Sequence, residues 1–267
     1  MPILRKDERG VLFIHVPKTG GSSIEHHFVE AGWDMAYHSG RVGKGTVNHY
    51  RWCTPQHQHA ELLRSNFRLD RFDAIFMVVR DPVARFRSEY AWRNGIDTGR
   101  VDPSASAVEK WAERAFATYE SYPFMLGNHI RPQADYLVEG ADVFRFEDGL
   151  DAAVARLNDL HGLELPGHVG RVKTSEDAAG VSSRDIEISP ALEGRLREFY
   201  ARDYELFGYA DGAPAPAAAV DGQGSPRLRR EVAREQVARR TSDVTSADLL
   251  QEVVRRGAAR ARAVFTR

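Results

Sequence analysis

The chain has 267 residues, 42% of them hydrophobic, which allows one good-sized domain with a packed core and an appendage. Its formal net charge of −1 favours no particular partner, and we expect no binding of nucleic acid. The single cysteine, Cys53, excludes an intramolecular disulfide and a multi-cysteine zinc site. Residues 1–10 lack the apolar core of a signal peptide and no stretch approaches about 18 apolar residues, so we expect no membrane span and a cytoplasmic location.

The first strong element is an apolar strand at residues 11–14, resuming at Val16, that breaks at Pro17. A lysine, two glycines and three hydroxyl residues follow within residues 18–23, and Ser22 or Ser23 is predicted to cap a helix ending near Gly32. The first N–H groups of a helix have no intrahelical partner and the helix dipole adds positive potential, so this turn is suited to an anion. An ordinary strand–turn–helix junction is the alternative.

Residues 33–56 have no clear periodicity and are predicted to be loop, followed by a short helix at 60–68. His57 and His59 lie between them, and their side chains point the same way if the segment is extended. Histidine is a natural general base because its usual pKa is near 6.5. Metal binding and an incidental surface position remain open for this pair.

A second apolar strand is predicted at residues 74–79, as expected for a parallel strand covered on both faces. Arg80 follows it, at the sheet edge where open α/β sheets bind ligands. Asp81 and Pro82 are typical of a helix start, and that helix is predicted to run to about Arg93 with Ser88 two turns inside it. The arginines at positions 85 and 87 are predicted to lie on the surface.

Further helices are predicted after Asp102–Pro103, at residues 149–160 and from Ser189–Pro190 to about Gly208, with a third strand at 143–146. Strands alternating with helices predict an α/β fold, a three-layer domain with a mainly parallel central sheet flanked by helices. We assign residues 1–210 to this domain.

The composition changes abruptly after residue 210. Residues 211–226 are rich in Pro, Ala and Gly and are predicted to be a linker, while 227–267 form a basic tail with two short predicted helices, 226–239 and 246–265. Three interpretations of this helical C-terminal tail remain open: it is solvated or partly disordered, it forms a subunit contact in a homo-oligomer, or it binds an anionic polymer.

The order Pro-Lys-Thr-Gly-Gly-Ser-Ser at residues 17–23 resembles the 5′-phosphosulfate loop of sulfotransferases that use 3′-phosphoadenosine 5′-phosphosulfate (PAPS). Arg80-Asp81-Pro82 followed by Ser88 is similar to the family segment that holds the 3′-phosphate. The His-x-His pair resembles the catalytic segment of the heparan sulfate branch, and the resemblance spans roughly residues 10–210. It implies a P-loop-like, carbohydrate O-sulfotransferase-like enzyme.

The resemblance implies in-line transfer of a sulfuryl group to an acceptor hydroxyl, of a glycan or another hydroxyl compound, without a metal. The implied base is His59 or, failing it, His57, with Lys18 acting at the donor. The residues expected to bind the nucleotide are Lys18, Thr19, Gly20, Gly21, Ser22, Ser23, Arg80, Ser88, Lys173 and Ser175.

Two other functions remain open from the sequence. A nucleotide kinase or other phosphotransferase of P-loop-like fold would carry its lysine after the glycines, G-x-x-x-x-G-K-[ST], whereas Lys18 precedes them. A non-catalytic protein that binds a nucleotide or an anionic polymer would make the histidines incidental.

Overall fold

A computed structural model describes residues 2–41, 44–95, 99–170, 172 and 180–209, which form an α/β fold around one sheet. Within those residues the sheet has five strands: β1 (Ile3–Lys6), β2 (Arg9–Ile14), β3 (Asp34–Ala36), β4 (Ala74–Val79) and β5 (Asp142–Arg145). Their order across the sheet is β3-β1-β2-β4-β5.

The sheet is mixed, so the prediction of a mainly parallel sheet is wrong. β2, β4 and β5 are parallel, whereas β1 pairs antiparallel with both β2 and β3. The parallel strands are the three that the sequence predicts, because their apolar runs are typical of strands buried on both faces. β1 and β3 are short and partly charged, as strands near a sheet edge often are, and β3 lies inside the segment predicted to be loop.

The structure describes seven α-helices: α1 (Gly21–Glu30), α2 (Ala60–Asn66), α3 (Pro82–Gly95), α4 (Ala105–Ser121), α5 (Leu150–His161), α6 (Pro190–Phe199) and α7 (Ala201–Phe207). Side chains of β2 and β4 alternate between two hydrophobic cores. Leu12 and Ile75 pack with α3, α4, α6 and α7, while Phe13 and Phe76 pack with α1 and α5. This arrangement agrees with the predicted three layers.

Two helix boundaries differ from the prediction. α1 is not capped by Ser22 or Ser23, because it begins at Gly21 with Gly20 as its N-cap. The predicted last helix is divided into α6 and α7 at Tyr200, whose buried hydroxyl donates a hydrogen bond to the Ile130 carbonyl (2.9 Å). The helical periodicity of the sequence cannot predict a hydrogen bond between residues so far apart in the chain.

The prediction that Arg85 lies on the surface is also wrong, since it is 2% exposed. Its guanidinium donates to the carbonyls of His129 (2.8 Å) and Arg131 (2.7 Å). Buried carbonyls outside regular structure need donors, and an arginine can serve several of them at once. Arg87 is half-buried.

The predicted linker at 211–226 and the predicted basic tail at 227–267 lie outside the described residues. In the part of the chain that is described, none of the helices has both the length and the apolar character needed to cross a membrane.

Candidate functional site

The loop between β2 and α1 turns the chain sharply. Lys18 has φ of 68° and Gly20 has φ of 83°, both in the left-handed region, which costs a lysine about 1–2 kcal/mol. Thr19 is fully buried and its hydroxyl donates to the Val16 carbonyl (2.9 Å). Its side chain therefore closes the turn, and its proton points to this carbonyl rather than to the anion that the sequence predicts for this loop.

Gly20 and Gly21 are required because side chains would not fit. A Cβ at Gly20 would lie 2.9 Å from the Phe146 ring, and one at Gly21 would lie 2.1 Å from Nε2 of His15. Phe146 and His15 therefore pack directly against the backbone at the start of α1, where the first N–H groups of the helix have no intrahelical partner and can point at an anion. Ser23, two residues on, is buried, and its hydroxyl oxygen accepts a bond from the N–H of Val172 (3.0 Å).

Gly21→Ala is expected to lower the free energy of unfolding by about 1–3 kcal/mol, because the added methyl group overlaps the His15 ring. Urea unfolding measures this change. Gly194 in α6 is a matched control, since its Cβ position has no neighbour within 4 Å; Gly194→Ala should raise stability by about 0.5–1 kcal/mol. Wild-type stability of Gly21→Ala would contradict the packing of His15 against the loop.

Arg80 lies beside this loop because β2 and β4 are parallel neighbours. Its Nη1 donates to the Lys18 carbonyl (3.3 Å), and its guanidinium lies 4.8 Å from the centre of the Phe146 ring. Gln133 holds its backbone, accepting from the Arg80 N–H (2.9 Å) and donating to its carbonyl (2.8 Å). The structure thus brings the two segments predicted to bind anions into contact.

The other predicted nucleotide contacts are Ser22, Ser88, Lys173 and Ser175. Ser22 is half-buried on the first turn of α1, and Ser88 is buried on α3, two helical turns after Arg80. Lys173 and Ser175 lie outside the described residues.

His57 lies between two other histidines. The edge-to-face contacts of its ring have centroid distances of 5.0 Å to His15 and 4.7 Å to His129. Each neighbour is paired with a buried carboxylate: His15 Nδ1 lies 2.5 Å from Glu25, and His129 Nδ1 lies 2.7 Å from Glu89. Burial lowers the pKa of His57 well below its usual value, and the two histidines add to the effect. His57 is therefore neutral, the form that accepts a proton.

Trp92 of α3 connects this cluster to the loop. The Lys18 Nζ lies 4.9 Å from the centre of the indole, and the indole stacks on His129 with centroids 5.1 Å apart and planes 14° apart. Burial lowers the pKa of Lys18 to about 8; the Glu89 carboxylate raises it and the Arg80 charge lowers it. At neutral pH the amino group still carries most of its charge, and a bound anion would raise the pKa again.

His59 has different neighbours from His57. Its buried ring packs on Phe124 (5.6 Å), and its Nε2 lies 3.8 Å from the Glu61 carboxylate. Burial lowers the pKa of His59 as well, and the positive charge of Arg131 adds to this. Asn128 links the two histidines, because its Nδ2 donates to the His57 carbonyl (2.8 Å) and lies 3.5 Å from His59 Nδ1.

A cavity of about 380 Å³ opens beside His59. Its charged lining includes Arg64, Arg131, Asp135 and Arg202. Next to it lies an exposed aromatic surface: Trp52, 65% exposed, stacks on Phe124 (5.4 Å), and the guanidinium of Arg131 lies 5.4 Å from the centre of the same Phe124 ring.

The sequence alone does not predict the two carboxylate-paired histidines that contact His57. Glu25 lies 10 residues from His15, and Glu89 lies 40 residues from His129, so only the folded chain brings each pair together. The one local signal is that Glu89 follows Ser88 within the segment already singled out.

The arrangement combines the loop at residues 18–23, which we call the anion cradle, with the cations Lys18 and Arg80 and the neutral imidazole of His57. It can therefore bind an anionic group and accept a proton. In the described ranges, no three or more His, Cys, Asp or Glu side chains are grouped so that they could hold a metal ion.

Comparison with known proteins gives a match at the level of a family. Residues 1–120 match the model of the sulfotransferase family (Sulfotransfer_2), and this segment includes the loop at Lys18, both histidines, Arg80 and Ser88. No curated protein and no solved structure matches the chain. The α/β architecture fits the P-loop-like fold of that family. The match supports sulfuryl transfer, in general terms, as the chemistry of this chain.

Proposed function

We propose that the protein is an enzyme that transfers a sulfuryl group from PAPS to an acceptor hydroxyl of a carbohydrate. The observation that carries the proposal is that one histidine, His57, is connected to the anion cradle on two sides. On one side His57 contacts His15, whose ring packs against Gly21. On the other side it contacts His129, which stacks on Trp92, and Lys18 lies over the Trp92 indole.

The residues at the loop fit the donor nucleotide. The N–H groups at Gly20 and Gly21, the hydroxyls of Ser22 and Ser23 and the Lys18 amino group would hold the 5′-phosphosulfate. Arg80 and Ser88 would hold the 3′-phosphate, since a guanidinium donates two parallel hydrogen bonds to such a group. Lys173 and Ser175 are proposed as further contacts.

Bound there, the donor supplies the sulfuryl group. Lys18 neutralises the charge that grows on the bridging oxygen as the sulfur–oxygen bond breaks, which stabilises the transition state electrostatically. His57 accepts the proton of the acceptor hydroxyl. The anionic donor raises the pKa of His57 from its low value in the free protein, which brings the imidazole closer to the range useful for a base.

His57 is a better candidate for the base than His59. Its ring packs between two carboxylate-paired histidines, His15 and His129. His15 packs against Gly21 of the donor loop, and His129 stacks on Trp92, which contacts Lys18. His59 instead lines the cavity with Arg64, beside Trp52 and Phe124. The exposed face of Trp52 suits the C–H groups of a sugar ring, so we assign this side to the acceptor.

Nucleotide binding tests the proposal. We expect 3′-phosphoadenosine 5′-phosphate to bind more tightly than ATP in isothermal titration calorimetry, with no need for magnesium. Tighter, magnesium-dependent binding of ATP would contradict the proposal and favour a phosphotransferase.

Arg80→Ala should weaken binding of 3′-phosphoadenosine 5′-phosphate by about tenfold to a hundredfold, because hydrogen bonds to a charged group are worth about 1.5–3 kcal/mol. Binding of adenosine 5′-phosphate should change much less. Arg68→Ala, at an exposed arginine paired with Asp70, is the control. An equal loss for both nucleotides would mean that Arg80 does not bind the 3′-phosphate.

A further inference from the structure

Glu89 is a buried carboxylate on α3 to which the proposed reaction assigns no contact with substrate. It is 1% exposed and has two partners, Nδ1 of His129 at 2.7 Å and Nε of Arg93 at 3.3 Å. Burial raises the pKa of Glu89, but the charge and hydrogen bond of His129 together with the charges of Arg93 and Lys18 more than offset this, so the pKa is lowered overall and the group is ionised. A buried charge is expensive unless such partners balance it.

His129 is held at three points, all by residues of α3. Glu89 bonds its Nδ1, Trp92 stacks on its ring, and Arg85 donates to its backbone carbonyl (2.8 Å). A carboxylate that accepts from Nδ1–H fixes both the orientation and the tautomer of an imidazole. The ring of His129 therefore stands in a fixed orientation against His57, with the centroids 4.7 Å apart and the planes at 80°.

We propose that Glu89 is a positioning residue for the base: through His129 it fixes the ring of His57 in the orientation needed to accept the acceptor proton. This inference rests on the proposed function for its kinetic consequence. Its structural consequence, a change at His57 when Glu89 is altered, does not depend on any activity.

Other charged groups around the cluster define the controls. His15, paired with Glu25, contacts the opposite side of His57, and Glu25 is also 3.5 Å from His38. Lys18 and Arg93 lie on the Glu89 side. A variant of Arg93 removes the second partner of Glu89 and leaves the Glu89–His129 hydrogen bond in place.

Glu89→Gln is the central variant. We expect kcat to fall by about tenfold to a hundredfold, the range typical when the carboxylate that orients a functional histidine is lost. The charge of Glu89 also raises the pKa of Lys18, so the KM for the donor is compared at about pH 6, where the Lys18 amino group keeps its charge in the variant, and there it should stay near the wild-type value. The ring resonances of His57, followed by NMR with labelled histidine, should shift, and the acid limb of the pH–rate profile should move.

Two control variants separate positioning from stability. Arg93→Gln should leave the His57 resonances close to those of the wild type. Asp142→Asn breaks a carboxylate–histidine pair of the same length, His161 to Asp142 at 2.7 Å, on β5, and should change neither the resonances nor kcat. Glu89→Asp keeps the charge and should recover part of the lost activity.

Unchanged His57 resonances and unchanged kcat in a folded Glu89→Gln protein would overturn the inference. If Glu89→Gln does not fold, the comparison uses Glu89→Asp and His129→Gln, and wild-type resonances of His57 in both would overturn it equally. Wild-type protein that binds the nucleotide but transfers no sulfuryl group would instead refute the proposed function, while the His57 spectra would still test the role of Glu89.

Discussion

His57→Ala should lower turnover by about 10²- to 10⁴-fold, the usual contribution of a positioned general base. Without the imidazole, the proton of the acceptor hydroxyl would have to pass to water as the new oxygen–sulfur bond forms. Binding of 3′-phosphoadenosine 5′-phosphate should change little, because the donor contacts lie on the loop and at Arg80. Donor consumption under saturating acceptor measures the loss, and calorimetry measures the nucleotide affinity.

His59→Ala is the matched control for this experiment. The two histidines are two residues apart, but only His57 is held between His15 and His129. We expect His59→Ala to act on the KM for the acceptor more than on kcat, since His59 lines the cavity. A larger fall in kcat for His59→Ala than for His57→Ala would reverse the assignment of the base.

Lys18→Gln should lower kcat by about 10²- to 10³-fold, comparable with the loss of one preorganised donor at a developing oxyanion. The wild-type protein should also show a pH dependence that the variant lacks. Because burial lowers the pKa of Lys18 to about 8, its positive charge is present below that pH and is lost as the pH rises through it. The kcat/KM for the donor, which reports the free enzyme, should therefore fall above about pH 8.

Lys110→Gln, at an exposed lysine of α4, controls for the general loss of a positive charge. It should leave both kcat and the pH profile unchanged. A decline above pH 8 that persists in Lys18→Gln would show that another group is responsible for it.

The sequence predicts those parts of the site that depend on short-range sequence patterns. The apolar runs of β2 and β4, the glycines after Lys18 and the Asp81 cap all follow from rules that act over a few residues; the structure gives Asp81 Oδ1 a bond from the Ala84 N–H (2.8 Å). Parallel pairing of the two strands then explains why Arg80 reaches the loop.

The rest depends on contacts between distant residues. Arg85 and Glu89 look like surface positions because charged residues on a helix are usually solvated, yet both are buried by the segment at His129. The antiparallel strands β1 and β3 are short, and the pairing of β1 with β2 and of β3 with β1 is set by the sheet rather than by their own composition. No local pattern distinguishes His57 from His59, and only their different neighbours do.

The most direct test of the account is transfer of a radiolabelled sulfuryl group from PAPS to pools of oligosaccharides, polysaccharides and phenols. We predict label in a carbohydrate, with release of an equal amount of 3′-phosphoadenosine 5′-phosphate, in the presence of a chelator, and loss of transfer in His57→Ala and Lys18→Gln. Absence of label in every pool, in protein that binds the nucleotide, would contradict the account, as would equal transfer by the wild type and His57→Ala.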